Sequence, residues 1–265
     1  MTTFVNVRSN CYFNALMQAL LSCKHFNEWA KKQKGAVIDE YLKILNNPKP
    51  QSTNIPILNA MQRVLRTGDK HMQRFGFSQE CADEGLKFFI NCVGAESQFA
   101  TRYDSHIVCR VCKSKSDPKK DINIFVNVAD CDLFLGKVEE GKINKYLLSH
   151  TTIIDYYDCG VCKERVPYCF LRYTLKYISP VLVVVLDKYK KKVQKNMPMS
   201  LVFPGEKLMK YELVAQIEHF GNSQSGHYIA ICDRDGNVMR YNDTSARPAK
   251  LGATPNTYIM FYQLT

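Results

Sequence analysis

The segment NVRSNCYFNALMQAL, residues 6–20, places a cysteine where an irregular stretch gives way to a helical pattern. Over Cys11–Cys23 the apolar residues recur at a spacing of about 3.6, which predicts an amphipathic helix with Asn10 as its N-cap. A cysteine at a helix N-terminus is favoured as the thiolate, because the backbone N–H groups there stabilise negative charge. Cys11 is therefore our candidate nucleophile.

The histidine that such a nucleophile needs stands in the segment SGHYIAI, near the other end of the chain. His227, at the start of a predicted strand, could take the thiol proton and later protonate a leaving amine. Fifteen residues on, a second predicted strand ends at Asn242 and Asp243, and either side chain could accept a hydrogen bond from the other ring nitrogen. The Asn6 amide and the Cys11 backbone N–H could stabilise an oxyanion. These residues together predict a thiol hydrolase.

The composition is that of a globular protein with a substantial core, at 265 residues and 46% hydrophobic content. The longest strongly apolar run, residues 181–186, is far short of the roughly 20 residues that a membrane span needs. The N-terminus has no basic-then-apolar signal pattern. An odd count of 11 cysteines in a chain of this length argues against a secreted disulfide scaffold. We therefore expect a protein of the cytosol, also present in the nucleus, without a membrane partner. We also expect it to be a monomer.

The net charge of +11 would suit a nucleic acid or an anionic membrane. The lysines are dispersed, however, apart from the segment LDKYKKKVQK at residues 186–195. That cluster is interpreted as a solvated hairpin, and we expect no nucleic-acid partner.

The order of the predicted elements defines the fold class as α+β. The first hundred residues are mostly helical in pattern, and SQECADEGLKFFI, residues 78–90, repeats the amphipathic spacing with Ser78 as its expected N-cap. After about Phe99 the chain becomes rich in β-branched and aromatic residues, which favours a predominantly antiparallel sheet. The runs that carry this pattern are DINIFVNV, PVLVVVL, YELVAQIEHF, HYIAIC and TYIMFYQL.

Two CxxC turns form the second strong signal, with Cys109 and Cys112 in CRVC and Cys159 and Cys162 in CGVC. Four thiolates in two such turns are the ligand set that Zn²⁺ prefers in closed, tetrahedral, structural sites. Two redox-active pairs, or four buried thiols, are the alternatives. The duplication of the motif favours zinc.

Together these motifs resemble the ubiquitin-specific proteases, and the resemblance runs over nearly the whole chain. The Cys box of that family is similar to the segment that holds Asn6, Cys11, Tyr12 and Asn14. The paired CxxC turns resemble its zinc-bearing fingers. Further matching segments are QECADEGL (79–86), LVFP (201–204), YELVAQIEHFGNSQSGHYIA (211–230), YNDTSA (241–246) and YIMFYQL (258–264).

The resemblance implies a single catalytic domain with a papain-like right-hand fold. Residues 1–98 would form a helical thumb, residues 99–175 zinc-bearing β fingers with flanking palm strands, and residues 176–265 an antiparallel β palm. The segment His219–Gly226 would be a mobile blocking loop. The implied activity is that of a deubiquitinase, which hydrolyses the bond after the C-terminal glycine of ubiquitin or a ubiquitin-like modifier.

By the same resemblance, Asn242 matches the third triad position and Asp243 the residue that follows it. The tail of ubiquitin carries two arginines, for which acidic side chains are the natural partners. The same acidic side chains would also stabilise a helix N-terminus, which is the structural alternative. The residues assigned to the modifier are Gln79, Glu80, Asp83, Glu84, Gly226 and Tyr228.

The chain departs from the family pattern at positions close to the expected substrate. Arg8 and Asn10 replace a glycine and a threonine near the nucleophile, and Cys81 replaces an aspartate that usually engages the tail. We therefore expect some substrate contacts to differ from those of the family.

Two alternatives stay open at this point. A viral papain-like protease with the same right-hand fold would cleave its own polyprotein after a glycine pair and would work in the host cytosol. A protein of a different class, a scaffold, would bind ubiquitin without catalysis. The intact set of Cys11, His227 and Asn242 argues against the scaffold.

Overall fold

A computed structural model of the protein describes residues 1–7, 9–65, 80–127, 147–186, 197–204, 208–222 and 224–265. Some sequence predictions fall outside these ranges. They are the lysine-rich segment after Leu186, the expected helix cap Ser78, the candidate contact Gln79 and the departure at Arg8.

Apart from the helical residues 147–148, the described helices all precede the first strand, as the apolar spacing of the first hundred residues predicts. None of them is long and apolar enough to cross a membrane. They are α1 (Cys11–Ser22), α2 (Lys24–Ala30), α3 (Ala36–Asn46), α4 (Ile55–Leu65), α5 (Ala82–Val93) and α6 (Glu96–Phe99).

The helix predicted over residues 78–90 begins later than its sequence pattern indicates. Cys81 has an extended backbone, and α5 starts at the following residue. Asp83 and Glu84 then lie in the first turn, where the helix dipole stabilises carboxylates. The helix ends at Gly94, whose φ of 67° is left-handed. The predicted start was wrong because apolar spacing identifies the buried face of a helix but not its first residue.

The described strands include parts of all five runs predicted as β. They are β1 (Thr101–Val108), β2 (Lys119–Asn123), β3 (Val126–Asn127), β4 (Ser149–Asp158), β5 (Arg165–Ile178), β6 (Val181–Val185), β7 (Ser200–Phe203), β8 (Met209–Gly221), β9 (Gly226–Arg234), β10 (Asn237–Asn242), β11 (Ser245–Pro248) and β12 (Thr257–Leu264).

These strands form two sheets. The smaller one has the order β2-β1-β5-β4, is antiparallel throughout and continues into both CxxC turns. The larger one has the order β11-β10-β9-β8-β12-β6-β3, with β7 paired to β8 and with a parallel pairing only between β3 and β6. Strand β12 lies between β8 and β6, both of which precede it in the chain. The predicted α+β class is confirmed.

Helix α1 lies at the centre of the main core. All of its residues are buried, because α2 and α5 pack against it on the helical side and β8, β9 and β10 on the sheet side. Apolar surface removed from water on both sides stabilises this position of the helix. The location of Cys11 is therefore set by the surrounding core.

The polar residues of α1 are buried with partners from the sheet. The guanidinium of Arg234, on β9, donates to the Ser22 hydroxyl at 3.1 Å and to the Gln18 carbonyl at 3.0 Å. It also lies over the ring of Tyr241, 4.8 Å from the centroid. These contacts fix the register between the nucleophile helix and the strands that carry the other candidate catalytic residues.

Truncation of the ring at the centre of the helical core should be costly. Phe26 is fully buried, and its ring lies 5.3 to 5.9 Å from those of Trp29, Tyr41, Phe89 and Phe99. We expect Phe26→Ala to lower the free energy of unfolding by about 3–5 kcal/mol, because a cavity replaces these contacts. Urea denaturation measures the change.

The matched control is Leu208→Ala, at a side chain that is 77% exposed. That variant should change stability by less than about 0.5 kcal/mol. Equal losses in the two variants would contradict the assignment of Phe26 to the centre of the core.

Candidate active site and metal centre

The candidate catalytic residues meet at one end of the eight-stranded sheet. Cys11 is the first residue of α1, His227 the second of β9 and Asn242 the last of β10. Helix α1 packs against β9, and the backbone N–H of Tyr228 on that strand interacts with the Cys11 thiol. Residues from opposite ends of the sequence are thereby brought together.

The structure places Asn242, and not Asp243, on the ring of His227. The distance from His227 Nε2 to Asn242 Oδ1 is 2.7 Å. An amide oxygen can only accept, so Nε2 carries the proton in this contact and Nδ1 is left as the basic nitrogen. The bond holds the ring in one orientation and tautomer, which is the role of the third residue of a thiol-hydrolase triad.

Asp243 has a different position, between the two halves of the site. Its carboxylate accepts hydrogen bonds from Asn6 Nδ2 at 2.9 Å and from Asn14 Nδ2 at 2.8 Å. Its carbonyl accepts from the Phe4 backbone N–H at 3.0 Å. Asp243 therefore joins the turn after Asn242 to the segment before Cys11 and to α1 itself.

A buried asparagine that the sequence did not single out extends this network. Asn54 is fully buried and donates from Nδ2 to Asn14 Oδ1 at 2.9 Å. Two residues earlier, Ser52 pairs with the N-terminal segment through backbone bonds to Thr3 and Val5. Through these hydrogen bonds, the connection between α3 and α4 holds the N-terminal segment and α1 in place. No local sequence motif around Asn54 predicts its contact with Asn14.

Asn6 and Asn10 shape the turn that presents the nucleophile. Asn6 Oδ1 accepts from the Asn10 backbone N–H at 3.1 Å, and one hydrogen of its Nδ2 goes to Asp243. An amide has a second N–H, which leaves a donor for an oxyanion. Asn10 occupies the predicted N-cap position of α1, but its Oδ1 accepts from the Val7 N–H at 2.8 Å and makes no cap bond. The predicted side-chain cap was wrong, because the side chain orders the preceding turn instead.

The Cys11 thiol is 4% exposed, and its environment sets its charge. Burial raises the pKa of Cys11, and the charge of Asp243 raises it further. The backbone N–H groups of Tyr228, Tyr12 and Cys11 itself act in the opposite direction and lower the pKa. The net shift is upward, so the resting group is the thiol, and a base must remove its proton for catalysis.

Two aromatic residues position the acidic start of α5. The Tyr258 hydroxyl, on β12, donates to Asp83 Oδ1 at 2.8 Å. Burial raises the pKa of Tyr258 and keeps it a neutral donor. The side chain of Tyr228 hydrogen-bonds the Cys81 thiol, whose pKa is raised by burial and by Asp83 and Glu84. Glu80 and Asp83 are half-buried and Glu84 is exposed.

The segment predicted as a blocking loop is largely a pair of strand ends. His219 pairs with Tyr228 and Gly221 with Gly226, and Asn222 Oδ1 closes the turn by accepting from two backbone N–H groups. A Cβ at Gly226 would overlap the His219 ring, which lies 4.4 Å from the Tyr228 ring. Gly226 therefore permits close packing beside the expected tail channel. His219 was not predicted as a site residue.

The four cysteines of the CxxC turns lie together at the tip of the smaller sheet. Their sulfurs are all within 4.8 Å of one another, with 3.8 Å between Cys109 and Cys162 and 3.6 Å between Cys112 and Cys159. Tetrahedral Zn–S bonds of about 2.3 Å place sulfurs about 3.8 Å apart, so the cluster fits a metal ion of that size. The Ser114 hydroxyl and the Cys162 backbone N–H lower the pKa of Cys159 to about 6.

Fold and site together define a class of protein, the thiol hydrolases with a helix-borne cysteine and strand-borne histidine and asparagine. The chain belongs to the ubiquitin carboxyl-terminal hydrolase family, which matches it over residues 2–262. This membership confirms the resemblance to ubiquitin-specific proteases drawn from the sequence motifs.

Individual relatives are distant. The chain is 24% identical over 322 aligned residues to ubiquitin carboxyl-terminal hydrolase 36 of Drosophila melanogaster, with 99% of this chain and 30% of the relative covered. The relative of the same description from Drosophila simulans is also 24% identical, with 99% and 31% covered. The chain thus spans about a third of the length of these relatives.

Solved structures share the fold over the whole chain. The SAGA deubiquitinase module of Ubp8, Sgf11, Sus1 and Sgf73 bound to monoubiquitin has a TM-score of 0.75 at 17% identity, with 100% of this chain and 69% of that chain covered. The same module bound to ubiquitin aldehyde has a TM-score of 0.74 at 17% identity, with 100% and 70% covered. At this identity the comparison concerns the fold.

Removal of the Asn242 side chain and removal of the neighbouring Asp243 side chain should have different effects on the protein. Asn242→Ala should lower kcat for a ubiquitin C-terminal fluorogenic amide by on the order of 10²-fold, because the ring loses its orientation. Asp243→Ala should lower kcat less, and should destabilise the protein by about 1–3 kcal/mol, because two amides lose their acceptor. Steady-state kinetics and thermal unfolding measure the two effects.

Thr244→Ala is the matched control, at an exposed side chain in the same turn, and should leave both quantities unchanged. A larger kcat loss in Asp243→Ala than in Asn242→Ala, at unchanged stability, would reverse the two assignments.

Proposed function

We propose that this chain is a thiol-dependent deubiquitinase, which hydrolyses the isopeptide or peptide bond after the C-terminal glycine of ubiquitin or a ubiquitin-like modifier. The observation that carries the proposal is the 2.7 Å contact between His227 and Asn242, beside the helix N-terminus that presents Cys11. Family membership supports the substrate class. The ubiquitin in the two SAGA structures is bound by Ubp8 modules, and it suggests the modifier here.

The reaction starts with transfer of the Cys11 thiol proton to His227, which gives a thiolate and an imidazolium. The thiolate attacks the carbonyl carbon of the modifier's last glycine, and the oxyanion accepts from the Asn6 amide and the Cys11 backbone N–H. The C–N bond then breaks as His227 protonates the leaving amine. Water, deprotonated by His227, hydrolyses the thioester, releases the carboxylate and regenerates the thiol. Asn242 keeps the ring aligned through both proton transfers.

The acidic start of α5 is the proposed binding site for the arginines of the modifier's tail. Charge complementarity supports it, since Asp83 and Glu84 lie in the first turn of α5, Glu80 lies two residues before that helix, and Asp83 is fixed by Tyr258. Cys81 places a half-buried, neutral thiol among these groups, so the tail contacts there differ in charge from the family pattern. Gln79, Gly226 and Tyr228 complete the proposed set.

We assign Zn²⁺ as the ion of the four-cysteine cluster, with a structural role. The sulfur ligands support zinc, and a site closed by four thiolates leaves no position for water or substrate. Cys109, Cys112, Cys159 and Cys162 would hold the tip of the smaller sheet together, at a distance from the proton transfers of the Cys11 site.

The assignment of subdomains follows the sheets. Residues 1–98 form the thumb, residues 99–175 the fingers with flanking palm strands, and residues 176–265 the palm. In support, helices α1 to α6 end at Phe99, and the smaller sheet lies between Thr101 and Ile178, three residues beyond the proposed boundary. The partner is ubiquitin or a related modifier and its conjugates, and the expected location is the cytosol and nucleus.

Removal of the nucleophile tests the proposal directly. Cys11→Ala should abolish cleavage of a ubiquitin C-terminal fluorogenic amide and keep binding of ubiquitin, because the thiolate is lost and the binding surface is not. The matched control is Cys23→Ala, at a buried cysteine of the same core, which should retain activity. Substantial turnover by Cys11→Ala would remove Cys11 from the mechanism.

A panel of electrophilic probes built on ubiquitin and on ubiquitin-like modifiers would identify the substrate. An adduct on Cys11 with one probe reports activity and modifier together. A scaffold would bind without an adduct, and selective cleavage of a glycine-pair polyprotein site would favour the viral alternative.

Loss of a metal ligand should affect the fingers. We expect the purified protein to contain about one zinc per chain, and Cys109→Ser or Cys162→Ser to lose it with a fall in melting temperature. Elemental analysis and calorimetry measure these changes. Cys92→Ser, on α5, serves as the control and should keep the metal. A wild-type protein without zinc, purified without chelator, would end the assignment.

A further inference from the structure

Two arginines stand side by side on the outer face of the larger sheet, next to the candidate active site. Arg240 on β10 pairs with Arg247 on β11 in antiparallel register, which places their Cβ atoms about 5 Å apart. Tyr241 belongs to the core around α1, so Arg240 and Asn242 project from the opposite face. The arginine pair therefore lies about 7 Å along the ladder from the residue that orients His227.

Within the described ranges, these cations have no acidic partner. Like charges directly opposite each other destabilise a sheet, so the pair is not explained by stability. Among the residues that the structure describes, no carboxylate lies within salt-bridge distance of either guanidinium. Arg247 is exposed, and the Arg240 guanidinium lies 5.9 Å from the ring of Phe220 on β8. Because β9 separates β10 from β8, that contact spans the strand that carries His227.

The acidic and the cationic surfaces lie on opposite sides of the catalytic strand. Across the sheet the order is β11, β10, β9, β8 and β12, with the arginines on the first two strands and His227 on the third. Asp83 is held by Tyr258 on β12, at the other end of this order. A modifier tail with two arginines is attracted to the α5 side and repelled from the arginine pair. The cationic surface is thus available to the protein on the other side of the scissile bond, which carries the modified lysine.

We propose that Arg240 and Arg247 form a docking surface for the acceptor protein, selective for acidic residues near the modified lysine. The proposal rests on the deubiquitinase function and extends it to the identity of the leaving group. Carboxylates match the guanidinium fork and neutralise the unpaired charge. A nucleic acid fits less well, because β11 is four residues long and ends at Pro248, which is too short for the several phosphate contacts that such binding needs.

The test compares two isopeptide substrates that carry the same modifier. In one, the modified lysine lies in a fluorescent peptide flanked by aspartates, and in the other by serines. The wild type should show a kcat/KM about 3- to 10-fold higher for the acidic peptide, mainly through KM, as two exposed ion pairs allow. Added salt should reduce this preference. Arg240→Gln/Arg247→Gln should abolish it, and Arg240→Lys/Arg247→Lys should retain part of it.

The ubiquitin C-terminal fluorogenic amide has no acceptor peptide, so the double glutamine variant should hydrolyse it at the wild-type rate. The matched control for the loss of two charges is Lys31→Gln/Lys43→Gln, at exposed residues of the helical half, and should keep the preference. No preference in the wild type, or a preference that survives in Arg240→Gln/Arg247→Gln, would overturn this inference alone. Failure of the wild type on the fluorogenic amide would overturn both this inference and the proposed function.

Discussion

The carboxylate of Asp243 is the contact on which the geometry of the site depends. It accepts from Asn6, 237 positions away in the chain, and from Asn14 on the nucleophile helix. The residue before it holds the ring of His227. One charged side chain thus connects the end of β10 to the segment before Cys11 and to α1. Asn54 stabilises this connection by its hydrogen bond to Asn14.

This tie has an electrostatic consequence for the nucleophile. A negative charge close to Cys11 raises its pKa, as burial does, whereas the backbone N–H groups at the start of α1 lower it. The carboxylate that fixes the geometry of the site therefore also destabilises the Cys11 thiolate. The balance leaves a resting thiol, so the proposed reaction includes proton removal by His227.

The sequence predicted those parts of the molecule that follow from short-range patterns. Amphipathic spacing gave α1, β-branched runs gave the palm strands, and the paired CxxC turns gave the four-sulfur cluster. The contacts made by Asn54, His219 and Tyr258 depend on register across the sheet and on packing between distant segments, for which no local pattern exists. The side chain of Asn10 made no cap bond for a different, local reason, because it accepts from the Val7 N–H in the preceding turn.

The position of β12 bears on when the protein acquires activity during its synthesis. The strand is translated after both of its neighbours, β8 and β6, yet it lies between them and supplies Tyr258. A nascent chain that has already produced Cys11 and His227 still lacks the strand that joins β8 to β6. Because domains fold as units, the nucleophile helix has its complete support only after β12 has left the ribosome. The order of the strands in the sheet thus delays assembly of the complete site until β12 has been translated.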